Sequence, residues 1–319
     1  MQRYFLISFL LLSSLLWGSF SEPTRWEYAT GYRNDRLHWH LQNPGDGGKL
    51  NYSEVYRDLQ FWENALSLIV YHRDIYFFLG GDYSAFGQGG RLTQRYADLS
   101  YTTDQPHFTL TPKGWAADGT GHFGYCVNLT DGRTYKTVLI PFIGFSLSYE
   151  QLQSTDPQPN PKHSTNAIGA SSYTMSSSLP GHQSLTWYGF LLGGAFHIDP
   201  GGRLLFDLGY NYNWLHVRFH TRYADEVFLG APLSSRQSSY TSVKAKTSGN
   251  LGHTGWLKAS YRLYRCWQIG LGAQFNYFVS RDFDAKMHKA TNQTVEKSSE
   301  KIKIRWTSVS GLANISNAF

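Results

Sequence analysis

The chain has 319 residues, of which 16% are aromatic and 16% are charged, and its formal net charge is +6. Its Lys and Arg residues form no dense tract of the kind that follows a phosphate backbone, so nucleic-acid binding is not expected. The two cysteines, Cys126 and Cys266, match no metal-binding spacing, and the sequence leaves open whether they pair. We therefore expect no cofactor and no metal site.

The N-terminal segment has the parts of a secretory signal peptide. Arg3 precedes an apolar run over residues 4–17, and the small residues Ser19 and Ser21 flank Phe20. The run of about 14 residues is too short for a transmembrane helix, which needs about 20. The sequence therefore predicts a signal peptide over residues 1–21 and one mature domain over residues 22–319.

The mature chain contains no apolar run of the length a transmembrane helix needs, so it could enter a membrane only with strands. Its 22 Tyr and 10 Trp residues suit the aromatic girdles of a membrane protein. A mean hydropathy of −0.39 is compatible with a barrel, because only half of each strand faces lipid.

Ten strands are predicted in chain order, joined alternately by short turns and long polar segments. They cover about 25–41, 52–71, 75–86, 107–129, 136–152, 184–198, 203–222, 253–264, 267–283 and 301–319. The longest polar segments are 154–183 and 223–252. This alternation is typical of outer-membrane barrels, which have tight periplasmic turns and longer external loops. Eight or twelve strands remain open, because glycines interrupt the fourth strand.

Alternating polarity supports strands that cross a membrane. On the seventh strand, Leu208, Tyr210 and Trp214 fall on one face, while Asp207 and Asn211 fall on the other. The predicted strands are much longer than the 5–6 residues usual in soluble proteins. The predicted fold class is therefore all-β: a transmembrane, antiparallel, up-and-down β-barrel of about ten strands in an outer membrane.

The last strand carries a separate signal. It ends on Phe319, with Ile315 and Ala313 on the same face, and resembles the C-terminal signal that the barrel assembly machinery recognises. Asn317 departs from that signal, which often has an apolar residue there. We therefore expect the assembly machinery, through this strand, and outer-membrane lipid as partners, in addition to the small hydrophilic solutes or anions that a channel would pass.

Several segments resemble the ten-stranded omptin barrel. They are Ser53-Glu54 through Trp62 and Ala65, His72-Arg73-Asp74, Gly80-Gly81-Asp82-Tyr83, Gly87-Gln88-Gly89-Gly90 and Lys113-Gly114-Trp115. The signal peptide, the region from Trp256 to Trp267 and the segment 305–312 are similar to the Protochlamydia-type outer-membrane proteins, described as porins of chlamydia-related bacteria. That second resemblance implies an outer-membrane channel.

The omptin resemblance also raises the possibility of peptide hydrolysis. Omptins activate water between an Asp-x-Asp pair and an Asp-x-His pair. In this chain Asp98 stands alone, with Asp104 six residues further on, and neither His216 nor His220 has an aspartate two residues before it. The sequence therefore predicts no catalytic residues and no enzyme activity.

Six charged residues are predicted to face the lumen, because a charge facing lipid at the bilayer midplane costs roughly 2–4 kcal/mol. They are Arg57, Glu63, Asp207, Lys258, Arg262 and Arg305. They could pair across a filled interior, or they could line a water-filled path in which basic residues favour anions. The sequence leaves both alternatives open.

Three functions follow in order of preference. The first is a porin or small channel for ions or small hydrophilic solutes, with a weak preference for anions. The second is a structural or adhesive surface barrel whose loops 154–183 and 223–252 contact a partner. The third is an omptin-like protease, which lacks the expected catalytic pairs.

Overall fold

The computed structural model describes residues 24–42, 51–72, 74–88, 91–97, 106–131, 135–159, 181–224, 240–264, 266–290 and 295–318. The predicted signal peptide and Phe319 lie outside these ranges. The described part of the chain holds no helix long and apolar enough to cross a membrane.

The described residues form thirteen β-strands. They are β1 (Arg25–Gln42), β2 (Asn51–His72), β3 (Ile75–Gln88), β4 (Arg91–Ala97), β5 (Pro106–Tyr125), β6 (Val127–Asp131), β7 (Lys136–Pro159), β8 (Gly181–Asp199), β9 (Leu204–Ala224), β10 (Tyr240–Tyr264), β11 (Trp267–Val279), β12 (Phe283–Ala290) and β13 (Val295–Ala318).

These strands build a barrel wall of ten, because three wall positions are each shared by two consecutive strands. Both β3 and β4 lie between β2 and β5. In the same way, β6 continues β5 along β7, and β12 continues β11 between β10 and β13. β1 pairs with both β2 and β13, which closes the barrel. The predicted antiparallel ten-stranded barrel is therefore confirmed.

The two ends of the barrel differ. Arg25 pairs with Ala318, so the first and last strands meet at the end that carries the short turns, such as the one between Asp199 and Leu204. We call this the turn end and the opposite end the loop end. At the loop end two strands extend further than predicted, since β7 continues to Pro159 and β10 begins at Tyr240. Parts of the predicted loops 154–183 and 223–252 are therefore strand.

Near the turn end, apolar side chains face outward. On β9 the exposed outer residues run from Leu204 to Trp214, while Asn211 and Asn213 face inward and are buried. This stretch matches the 9–11 residues that a tilted strand needs to cross the hydrocarbon core of a bilayer. The segment 204–214 therefore has the length and polarity of a membrane-spanning strand.

Near the loop end, the same strand inverts its polarity. Leu215, Val217 and Phe219 face inward and are buried, whereas His216 and Arg218 face outward and are exposed. The outer face at this height meets water and no longer meets lipid. Apolar side chains there lower the free energy of the folded barrel by facing inward, away from that water. β13 inverts in the same way, with Ile304 and Trp306 buried inside and Arg305 exposed outside.

Candidate functional site

The lumen is the candidate site, and it consists of three layers. Closest to the turn end is an ion-pair layer around Asp207. Lys258 Nζ lies 3.2 Å from Asp207 Oδ2 and 2.7 Å from Glu27 Oε2. His197 Nδ1 lies 2.5 Å from Asp207 Oδ1, and the Arg25 guanidinium lies 3.9 Å from Asp207 Oδ2. Opposite charges in this layer are therefore paired.

A cavity of about 520 Å³ opens at the turn-end mouth, where Arg25, Lys136 and Arg262 contribute to its lining. Arg262 Nη2 donates a hydrogen bond of 2.6 Å to Asp199 Oδ2. Partial burial raises the pKa of Asp199, but the hydrogen bonds from Arg262 and from the Gly201 N–H outweigh it and lower the pKa below its usual value. Asp199 therefore stays ionised and holds Arg262 at the mouth.

Above the ion pairs, an aromatic contact bridges the lumen. The rings of Phe142 on β7 and Trp256 on β10 are 6.0 Å apart, although two wall strands separate β7 from β10. Gly209 makes room for this arrangement, because a Cβ at that position would collide with the Trp256 indole. The indole of Trp256 thus narrows the lumen, and it fits there because residue 209 is a glycine.

The second layer is centred on Arg33, whose side chain is 1% exposed. Its guanidinium contacts Asp35 at 2.9 Å, Asp118 at 2.7 Å and Asp82 at 3.4 Å. Arg33 and Asp118 belong to strands on different sides of β2 and β3, so this network reaches across the interior. We call it the Arg33 layer.

Two further carboxylates are buried close enough to Arg33 to interact with its charge. Glu63 accepts a hydrogen bond of 2.6 Å from Ser310 Oγ, and Glu150 is buried without a hydrogen-bond partner among the described residues. Buried charges cost free energy unless they are paired, so this layer depends on Arg33.

The third layer, at the loop end, is an apolar plug. It is a cluster of buried side chains from eight of the ten wall positions, namely Leu37, Trp39, Tyr56, Leu59, Phe61, Leu152, Leu185, Trp187, Leu215, Val217, Phe219, Val243, Ala245, Phe278, Phe283, Ala285, Ile302, Ile304 and Trp306. The guanidinium of Arg33 lies 5.4 Å from the ring of Trp306, so the plug sits directly on the Arg33 layer.

Contacts between strands that are not neighbours show that the plug spans the lumen. The rings of Trp39 on β1 and Phe219 on β9 are 5.1 Å apart, and those of Trp187 on β8 and Phe278 on β11 are 5.7 Å apart. Trp39 Nε1 also donates to Gln183 Oε1 on β8 at 3.2 Å. Side chains from opposite walls therefore meet in the middle of the barrel.

The six charged residues predicted for the lumen divide into two groups. Glu63, Asp207, Lys258 and Arg262 face inward, and each has the hydrogen-bond or ion-pair partner described above. Their role in lining a pore remains a prediction.

Arg57 and Arg305 are the other two, and both lie on the outer face. Arg305 stands between Ile304 and Trp306 of the plug and is exposed. At Arg57 a β-bulge shifts the alternation, because Asp58 has a φ of 55° and the β1–β2 register slips between Asp35 and Leu37. The prediction that these two arginines face the lumen was wrong, since it assumed one polarity along the whole strand.

The histidines considered for an omptin-like site also face outward. The His216 ring stacks on Tyr188 at 5.2 Å, and His220 Nε2 lies 3.2 Å from Ser242 Oγ. Asp98 and Asp104 lie outside the described residues.

The inversion of polarity is the feature that sequence reasoning missed. Its signal is present on β9, where the outward series Tyr210-Tyr212-Trp214 continues as His216-Arg218-His220. Dividing each strand at its last interfacial aromatic residue would have predicted an apolar inner face at the loop end.

The architecture is shared with a solved outer-membrane protein. The outer membrane protease OmpT from Escherichia coli is 10% identical, with a TM-score of 0.69 over 94% of this chain and 98% of that chain. This likeness shows the fold alone. The chain thus shares the ten-stranded barrel fold of this protein.

The family follows from the sequence match. The family model of the Protochlamydia outer membrane protein matches residues 27–319, so the chain belongs to that family. No curated protein matches the sequence significantly.

Other barrels match with low TM-scores. The translocator domain of the autotransporter NalP from Neisseria meningitidis has a TM-score of 0.35 at 11% identity, covering 96% of this chain and 92% of that chain. The outer membrane protein AlkL has a TM-score of 0.33 at 8% identity, covering 95% and 92%. These values are too low to inform the function.

Proposed function

We propose that this protein is a closed surface barrel of the outer membrane, acting through its outer face and loop end rather than by passing solutes through its lumen. The observation that carries the proposal is the plug, in which Trp39 reaches both Phe219 and Gln183 from the opposite wall. A solute could pass only if these buried side chains moved apart.

Energetics favour the closed state of the plug. Its largest side chains, Trp39, Trp187 and Trp306, are at most 1% exposed. Burying a large apolar side chain contributes about 1.5–3 kcal/mol, so opening a wet path through several of them would be costly. A barrel of about eight strands is already filled by its own side chains, and ten strands enclose only slightly more space.

The inward charges support the same proposal. Lys258 and Asp207 neutralise each other in one layer, and Arg33 is held by three carboxylates in the next. Cations that pair with carboxylates across the interior are unavailable to attract a permeating anion.

We also propose that the protein is not a peptidase. The two histidines that would serve an omptin-like mechanism point away from the lumen, toward Tyr188 and Ser242. A general base must come within about 3 Å of the water it activates, together with its partner carboxylate.

A porin or small channel is the second candidate, and one observation favours it. The cavity of about 520 Å³ at the turn-end mouth is large enough for a small solute, and Arg25, Lys136 and Arg262 would give it a preference for anions. This candidate requires that the plug and the Arg33 layer open.

Single-channel recording in a planar bilayer tests the proposal. Protein purified from outer membranes should insert without steady conductance steps. A variant that hollows the plug, Trp39→Gly with Phe219→Ala, should conduct, because it removes the contact that crosses the lumen. Trp214→Ala, on the lipid-facing side of β9, is the matched control and should stay silent.

The wild-type recording decides between the two candidates even if the hollowed variant fails to fold. Heat-modifiable migration in gel electrophoresis verifies that each sample is a folded barrel. Steady wild-type steps whose reversal potential shifts in Arg262→Glu would reject the closed barrel and establish the channel.

A further inference from the structure

The loop end carries a basic outer surface whose ligand the proposed function leaves unnamed. Ten of the exposed or half-buried cations that the described residues place at this end form it: Arg36, Arg57, Arg218, Arg222, Lys244, Lys246, Lys286, Lys301, Lys303 and Arg305. Three exposed carboxylates, Asp58, Asp282 and Asp284, accompany them. We call this surface the basic belt.

Cations in the basic belt stand directly opposite one another on neighbouring strands. Lys246 pairs in register with Arg218, and Lys244 pairs with Lys286. Like charges directly opposite in a sheet repel each other. A bound anion between the strands would remove this repulsion, so the register itself points to an anionic ligand.

Neighbouring cations of the basic belt affect the pKa of His220. Burial lowers the pKa of this imidazole, and the neighbouring Lys244 and Arg222 lower it further. Asp284 neutralises one cation of the basic belt, since its Oδ1 atom lies 2.6 Å from Lys301 Nζ.

The basic belt lies next to the lipid headgroup region. Trp214, 52% exposed, is the last apolar outer residue on β9, and Arg218 follows four positions later. At about 3.3 Å per residue, this separation is about 13 Å along a tilted strand. The headgroup region of one leaflet begins at the edge of the hydrocarbon core and is roughly 5–8 Å thick. At a tilt of about 35–45° this separation raises Arg218 by roughly 9–11 Å. The basic belt therefore begins just above the headgroup region, where long Arg and Lys side chains still reach its phosphate groups.

We propose that the basic belt binds phosphate groups of anionic lipids in the outer leaflet. Lys and Arg make charge-assisted hydrogen bonds to phosphate oxygens, and each cation near a charged membrane surface adds to the attraction. The Arg218 guanidinium also lies 5.3 Å from the ring of Tyr188, which holds it against the outer wall. The proposal does not depend on whether the lumen is closed.

Native mass spectrometry of the detergent-purified protein tests the proposal. The probes are a lipid A that carries two phosphate groups and the same lipid after enzymatic removal of its phosphates. Wild-type protein should retain the phosphorylated lipid. The double variant K246Q/R218Q should bind it about tenfold more weakly, because two phosphate contacts are lost.

The matched control is K136Q/R203Q, which removes the same charge at the turn end. It should bind the phosphorylated lipid as the wild type does. Equal binding by K246Q/R218Q and the wild type, or equal retention of the dephosphorylated lipid, would overturn the proposal. So would retention of heparin without displacement by the phosphorylated lipid, since the basic belt would then serve a soluble polyanion. Heat-modifiability again verifies folding of each variant.

Discussion

The two halves of this barrel are built from the same strands with opposite polarity. In the turn-end half, Leu208 and Trp214 face outward while Asp207 and Asn211 face inward. In the loop-end half, Val217 faces inward while Arg218 faces outward. Both arrangements follow from the same physical rule, because an apolar group lowers the free energy by leaving water, whichever side the water is on.

The comparison shows that the interior of a membrane barrel depends on what surrounds it. Where lipid covers the outside, apolar residues are free to face outward, and the lumen holds ion pairs beside a small apolar cluster of Ile69, Tyr76, Val138 and Ile140. Where water covers the outside, a soluble-type core forms inside the barrel. The Arg33 layer lies at the boundary, with Trp306 of the plug against its guanidinium.

The largest expected effect comes from removing a side chain of the plug. Trp187→Ala should lower the free energy of unfolding by about 3–5 kcal/mol, because it leaves a cavity in a packed core. Urea unfolding followed by intrinsic fluorescence in detergent measures the change. The matched variant Trp62→Ala removes an outward-facing Trp that is 56% exposed, and should cost about 1 kcal/mol. Equal losses at both positions would mean that the loop-end interior is not a core.

A smaller effect should follow from placing a charge on the outer face of each half. Leu208→Lys puts a cation on the lipid-facing side of β9 and should destabilise the barrel by about 2–4 kcal/mol. His220→Lys makes the corresponding change at the loop end, where water already solvates the surface, and should change stability by about 0.5 kcal/mol or less. Folding titrations in lipid vesicles compare the two, and similar costs would place His220 in lipid as well.

The fold could be predicted from the sequence because it depends on local signals. Alternation on β9 and β11 and the short turn after Asp199 define antiparallel strands that are close neighbours in sequence, and these signals led to the correct number of wall strands. The start of β10 at Tyr240 was missed, because the polar residues 240–250 look like a loop when the outer face is assumed to be apolar.

The lumen could be predicted only in part. Asp207 and Lys258 were placed inward because lipid excludes charge, and that reasoning holds within the membrane. It failed for Arg305, which lies beyond the membrane, and for Arg57, where the bulge at Asp58 reverses the alternation. The contact between Trp39 and Phe219 joins strands far apart in sequence, and no local pattern reveals it.

The central claim is that the loop-end lumen is a dry core, and thiol labelling tests it most directly. In protein whose native cysteines are replaced by serine, single cysteines are introduced at Val217, which faces the plug, and at Arg218, which faces outward. A membrane-impermeant, water-soluble maleimide should label the cysteine at 218 quickly and leave the one at 217 unmodified until the protein is denatured. Rapid labelling at 217 in the folded barrel would contradict the account and show that water reaches the loop-end lumen.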